Sequence, residues 1–145
     1  MRGSASVFGL ALLVSAAVSP PALADGDAAK GETVFKKCLA CHRIGEGAKN
    51  LIGPNLTGVI GRQAGTIEGF AYSPLTKAAG QNGLVWNEDL VFNYLADPNT
   101  FMKSYLTEKG KADQAAGASK MVFKLPSEAE RKDVIAYLKT FSAKK

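Results

Sequence analysis

This 145-residue chain contains two cysteines and one histidine, and all three fall in one pentapeptide, Cys38-Leu39-Ala40-Cys41-His42. On a helical segment, residues three and four apart share a face. Two sulfurs on that face can form thioether bonds to one flat macrocycle, while the imidazole binds an iron at its centre. C-x-x-C-H is the spacing of c-type haem attachment. The inventory removes most competing chemistry. A Ser-His-Asp triad would have to use His42. A closed zinc site needs four ligands, usually from two separated clusters, and there is no second cluster. A disulfide across two intervening residues closes too small a loop to contribute much. The serious alternative is a redox dithiol, but that motif usually lies near a βαβ pattern, which this chain lacks.

The sixth position on such an iron decides what the haem does. With no second histidine, bis-histidine ligation from this chain is excluded. Methionine is the next candidate, and a Met/His pair suits an electron carrier. Beyond Met1 the chain has Met102 and Met121. Met121 follows Gly117-Ala118-Ser119-Lys120 in a flexible stretch from which a side chain can swing toward a haem face. Met102 stands beside Phe101, with Tyr105 and Leu106 nearby, and reads as packing.

The elements that must position these groups read as helices separated by loops. Asp27 caps a first helix, with Ala28, Gly31, Val34, Phe35 and Cys38 as its apolar stripe. Residues 45–69 are rich in glycine and read as loop. Ser73-Pro74 opens a short helix that Gly80 stops. Asn87 caps a third helix carrying Leu90, Val91, Tyr94 and Leu95, and Asp97-Pro98 ends it. A further short helix is expected over 101–109, followed by a loose stretch over 109–119. Ser127 and Glu130 form a capping box for a last helix with Val134, Ile135, Leu138 and Phe141 on one face. No segment alternates as a strand. The expected fold is all-α, with four to five helices and loops longer than a small domain usually carries. A central cofactor that organises those loops fits this pattern.

Residues 1–24 read as a cleaved secretory signal peptide. Arg2 is followed by an apolar run from Val7 to Val18, and Ala22-Leu23-Ala24 is an A-x-A cleavage pattern. The run is too short to span a bilayer comfortably, and Ser19-Pro20-Pro21 breaks it. Residues 25–145 then form a single domain. The net charge of +5 falls to +4 when Arg2 leaves with the leader. Only Arg43, Arg62 and Arg131 remain among many lysines, so nucleic-acid binding is a poor reading. Docking on acidic protein partners is a better one.

The chain resembles a class I cytochrome c, most closely a bacterial cytochrome c2. The likeness rests on an ordered set: Gly26 to Phe35 before C-x-x-C-H, Gly-Pro-Asn-Leu at 53–56, Trp86, Tyr94-Leu95 before Asp97-Pro98, Ser119-Lys120-Met121, and 133–138 at the end. The stretch between Pro98 and Met121 is longer than in mitochondrial cytochrome c.

The resemblance implies roles. Cys38 and Cys41 carry the thioethers of one covalent haem c, and His42 and Met121 are its axial ligands. Pro54 offers its carbonyl to the other imidazole nitrogen. Trp86, Tyr72 and Arg62 surround a buried propionate, and Tyr94 lies near the Met121 sulfur. Gly31, Phe35 and Tyr137 join the first and last helices, and Lys36, Lys37, Lys120 and Lys124 ring the docking face. The implied function is that of a soluble, monomeric periplasmic electron carrier, without enzyme activity or membrane insertion. It would take electrons from a cytochrome bc1 complex and pass them to a photosynthetic reaction centre or a terminal oxidase. The alternatives are a peroxidase-like haem enzyme or ligand-binding module, and a carrier for a dedicated periplasmic dehydrogenase.

Overall fold

A computed structural model describes residues 26–142; the expected signal peptide lies outside them. The elements are α1 (Ala28–Phe35), α2 (Pro74–Gln81), α3 (Glu88–Ala96), α4 (Pro98–Glu108), a 3-10 turn (Ala112–Gln114) and α5 (Glu128–Lys139). No strand occurs among the described residues, only one isolated bridge between Gln63 and Val85. The fold is all-α, as the periodicity implies.

The helix starts follow from their caps. The Asp27 carboxylate accepts from the Ala29 and Lys30 N–H groups. Ser73, Asn87 and Ser127 do the same for α2, α3 and α5. Each satisfies backbone donors that the first turn leaves without partners.

Four expectations are corrected, and the first is that Phe141 lies beyond α5, which ends at Lys139 and is capped by Thr140. Cys38 is not in α1, which ends at Phe35; tighter bonds such as Cys38 N–H to Phe35 C=O (2.8 Å) take the chain out of the helix. Gly80 does not stop α2, which runs to Gln81 and is capped by Asn82. The fourth helix starts at Pro98 rather than Phe101. Asp97 both ends α3 and caps α4 by accepting from the Thr100 N–H, and the proline that cannot continue one helix is pre-set to begin the next.

The core runs between α1 and α5 and outward through α2, α3 and α4. Gly31 lets the first pair close, because a Cβ there would lie 2.0 Å from the Asp133 carbonyl oxygen. Phe35 and Tyr137 pack across the same junction with ring centroids 5.4 Å apart. On the other side, Leu75, Leu84, Met102 and Leu106 are almost completely buried. The loops over 36–73 and 115–127 carry much of the remaining chemistry and both line one cavity.

Candidate haem site

The pentapeptide forms a tight turn directly after α1. The Cys41 and His42 N–H groups both bond back to the Cys38 carbonyl, at 3.0 and 2.9 Å. The spacing therefore works through a turn rather than a continuous helix, and still brings Cys38, Cys41 and His42 to the cavity lining. No disulfide joins the two cysteines. Burial, and then the nearby Cys41, push the Cys38 thiol up to about 11. Redox dithiols call for a lowered thiol pKa, the opposite of the direction at Cys38.

His42 is buried, at 9 % exposure. Its Nδ1 lies 2.7 Å from the Pro54 carbonyl oxygen. A carbonyl only accepts, so Nδ1 carries the proton and the lone pair sits on Nε2. Burial is the main cause that lowers the imidazole pKa, opposed by the Pro54 bond and assisted by the Arg62 charge. The ring is thus held neutral and oriented, as a metal-binding imidazole must be. Gly53 makes room for it: a Cβ there would lie 2.4 Å from His42 Cε1.

The loop under the ring is itself pinned. Arg62 donates to the Asn55 and Thr57 carbonyls. Asn50 accepts from the Asn55 N–H at 2.9 Å and donates to the Glu68 carbonyl at 3.0 Å. Asn50 thereby ties the Pro54 segment to the next loop. No sequence signal marked it, since an asparagine in a glycine-rich loop reads as a turn residue.

Met121, on the loop over 115–127, lines the same cavity, whereas Met102 is fully buried in the core and does not. The Met121 N–H donates to the Ser119 hydroxyl, and the Ser119 N–H to Asn99 Oδ1. Trp86, Tyr94, Tyr72 and Arg62 also line the cavity together with Cys38, Cys41, His42 and Pro54, whereas Lys36 and Lys124 do not. Trp86 and Tyr94 pack edge to face, 4.8 Å between centroids. Burial raises the Tyr94 hydroxyl, and a hydrogen bond with Ser119 works against it. Tyr72 is raised by burial, against the Ile67 N–H bond and the Arg62 charge.

The cavity volume is about 340 Å³, within the range of small-molecule and cofactor sites. Its walls are mainly apolar, including Leu56, Val59, Val91, Leu95, Leu125 and Leu138. No carboxylate lines it, while Arg62, Tyr72, Ser73, Thr76 and Trp86 bring hydrogen-bond donors. An apolar slot with donors and no acid suits a flat macrocycle bearing two carboxylates. Among the described residues no group of three or more His, Cys, Asp or Glu side chains is placed to hold a bare metal ion. The donor set fits a haem fixed through two sulfurs.

Of the four lysines placed on the docking face, two pair with local acids. Lys37 pairs with Glu130 at 2.6 Å and Lys124 with Asp97 at 2.5 Å. Lys120 donates to the Ala71 carbonyl and lies over the Phe70 ring. Ile52, Val122 and Phe123 are exposed at the cavity mouth.

Comparison with known proteins agrees with this geometry. The family model described as "Cytochrome c" matches residues 28–142. The chain is 62% identical over 118 residues to cytochrome c2 iso-1 of Rhodospirillum centenum, which covers 81% of this chain and 98% of that protein. It is 60% identical over 114 residues to a cytochrome c2 of Rhodopseudomonas palustris, covering 79% and 97% respectively. The solved structure of the Rhodospirillum centenum cytochrome c2 superposes with a TM-score of 0.81 at 62% identity, covering 81% of this chain and 100% of that one.

Proposed function

Since the chain belongs to the class I cytochromes c, as a bacterial cytochrome c2 with one covalent haem c, we propose that His42 and Met121 are the two axial ligands of its iron. It is an electron carrier and not an enzyme. The observation that supports the ligand assignment is the shared cavity. A neutral imidazole with its lone pair on Nε2 and the Met121 side chain line the same cavity.

The bound haem supplies an iron that passes between ferrous and ferric states. The chain's residues do the rest. Cys38 and Cys41 fix the macrocycle through sulfur. The Pro54 carbonyl holds the imidazole in one tautomer and raises its basicity. Met121 would take the remaining position on the iron and leave no vacancy for substrate, which sets the carrier reading apart from peroxidase-like chemistry. Arg62, Tyr72 and Trp86 take the propionates, so that buried carboxylates meet donors rather than an apolar wall. Tyr94 sits beside the Met121 loop.

We place the mature protein, residues 25–145, in the periplasm as a soluble monomer. Among the described residues no helix is long and apolar enough to cross a membrane. Its partners are a cytochrome bc1 complex as donor and a photosynthetic reaction centre or terminal oxidase as acceptor, met by transient docking at the cavity mouth. A dedicated periplasmic dehydrogenase is the alternative donor. Lys36 and Lys120 steer that encounter, with Lys37 and Lys124 exchanging their local acids for the partner's. The purified protein is expected to be reduced by bc1-containing membranes with quinol, at a rate that falls as salt rises. A rate that is nil, or independent of salt, refutes the assignment. Protein sequencing of the secreted form is expected to begin at Asp25.

A further inference from the structure

Arg131 is only 6 % exposed, and no carboxylate lies within ion-pair distance of it among the described residues. Burying a charge is costly unless other groups satisfy it. Here the compensation is specific. Nη1 donates to the Leu125 and Pro126 carbonyls, both at 2.8 Å. The guanidinium carbon lies 4.3 Å from the centre of the Phe92 ring on α3, a cation–π geometry. Nε is buried with no partner.

The two carbonyls belong to the segment that carries Met121. From Ala115 to Ser127 that segment has no helix or strand. Upstream of Met121 it is held by Asn99 and Ser119. Downstream, Val122, Phe123 and Lys124 are exposed, and the chain returns to the body at Leu125. There the Leu125 N–H bonds the Leu95 carbonyl at 2.8 Å, and Arg131 takes the next two carbonyls. The other downstream tie, Lys124 to Asp97, is an exposed pair and contributes little.

We propose that Arg131 is a positioning residue for the Met121 ligand. It fixes where the loop re-enters the fold and so limits how often Met121 leaves the iron. The proposal rests on Met121 being that ligand. Breaking the anchor frees the loop to open without unfolding α5, whose own contacts with α1 run through Gly31 and Phe35.

The test uses holoprotein carrying Arg131→Met, which keeps an unbranched side chain but cannot donate, and Arg131→Lys, which keeps a charged donor. The readouts are the rate of imidazole binding to the ferric iron, which requires Met121 to leave, and the thermal midpoint. Leu106→Ala is the control, since Leu106 is fully buried and does not line the cavity. Arg131→Met is expected to speed imidazole binding about tenfold or more, the scale of one lost charge-assisted hydrogen bond. Arg131→Lys is expected to fall between it and the parent. Leu106→Ala is expected to lower the midpoint without changing the rate. A parental rate in Arg131→Met, or in Arg131→Lys should the first variant not mature, overturns the proposal. A Met121→Ala variant that binds imidazole no faster than the parent removes instead the ligand assignment beneath it.

Discussion

Gly53→Ala tests how the proximal side is built. The added Cβ would lie 2.4, 2.7 and 2.9 Å from His42 Cε1, Nδ1 and Nε2. Ordinary carbon contacts are about 3.5–4.0 Å, so the ring must retreat by about 1 Å or the loop must slide. The loop is poorly placed to slide, because the Gly53 N–H bonds the Cys41 carbonyl at 2.8 Å and its own carbonyl accepts from the Leu51 N–H. A ring retreat of that size breaks the 2.7 Å bond to Pro54. Overpacking of this kind costs about 1–3 kcal/mol, and the lost hydrogen bond about 1 kcal/mol more. The sum, about 2–4 kcal/mol, is a large share of the 5–15 kcal/mol typical of a domain. Denaturant unfolding of the holoprotein, followed by far-ultraviolet circular dichroism, measures it. The reduction potential is expected to rise as well, since an imidazole without the Pro54 bond is less basic and supports the ferric ion less well. A Gly53→Ala holoprotein within about 0.5 kcal/mol of the parent, with an unchanged potential, refutes this reading of the ring's confinement.

Other outcomes follow from the same geometry. Met102→Ala is expected to cost about 2–5 kcal/mol through its core cavity and to leave the ferric spectrum unchanged, because Met102 does not line the haem site. Gly31→Ala places a Cβ 2.0 Å from the Asp133 carbonyl oxygen and 2.8 Å from Tyr137 Cβ. It is expected to force α1 from α5 and to lower the thermal midpoint more than Ala→Gly changes on exposed helix surfaces do. The Asp97 carboxyl is held below its usual value first by the Lys124 hydrogen bond and then by the Thr100 N–H. A lowered folded-state pKa contributes stability that is present above the unfolded value of about 3.9 and lost as pH falls through the folded value. Asp97→Asn is therefore expected to be less stable than the parent at neutral pH, and the difference is expected to close on acidification in equilibrium unfolding measured between neutral pH and about pH 3.

Much of this architecture is legible in the sequence because its signals are local. C-x-x-C-H is five consecutive residues, and the caps Asp27, Ser73, Asn87 and Ser127 bond within three residues of themselves. The start of α4 is obscured because Asp97-Pro98 carries two signals at once, a stop for one helix and a start for the next. The tight turn after α1 is hidden because three-residue and four-residue spacings look alike over so short a run.

Long-range anchors are harder to see. Asn50 acts through Glu68 and Asn55, and nothing in its neighbours announces that bridge. Arg131 did leave a trace. It occupies the first place of the apolar pattern 131, 134, 135 and 138, where a charge on the buried face of α5 signals that something inside must satisfy it. The cavity residues Arg62, Tyr72 and Trp86 are ambiguous singly, since an arginine is usually surface and a tryptophan usually core; only the folded chain brings them to one cavity.

The most direct test compares ferric absorption spectra of the purified wild-type holoprotein and its Met121→Ala variant at neutral pH. The wild type is expected to show the weak band near the red edge that marks a Met–iron bond, and the variant to lose it while retaining its covalent haem. A band that survives the substitution, or that is missing from the wild type, contradicts an iron held between His42 and Met121.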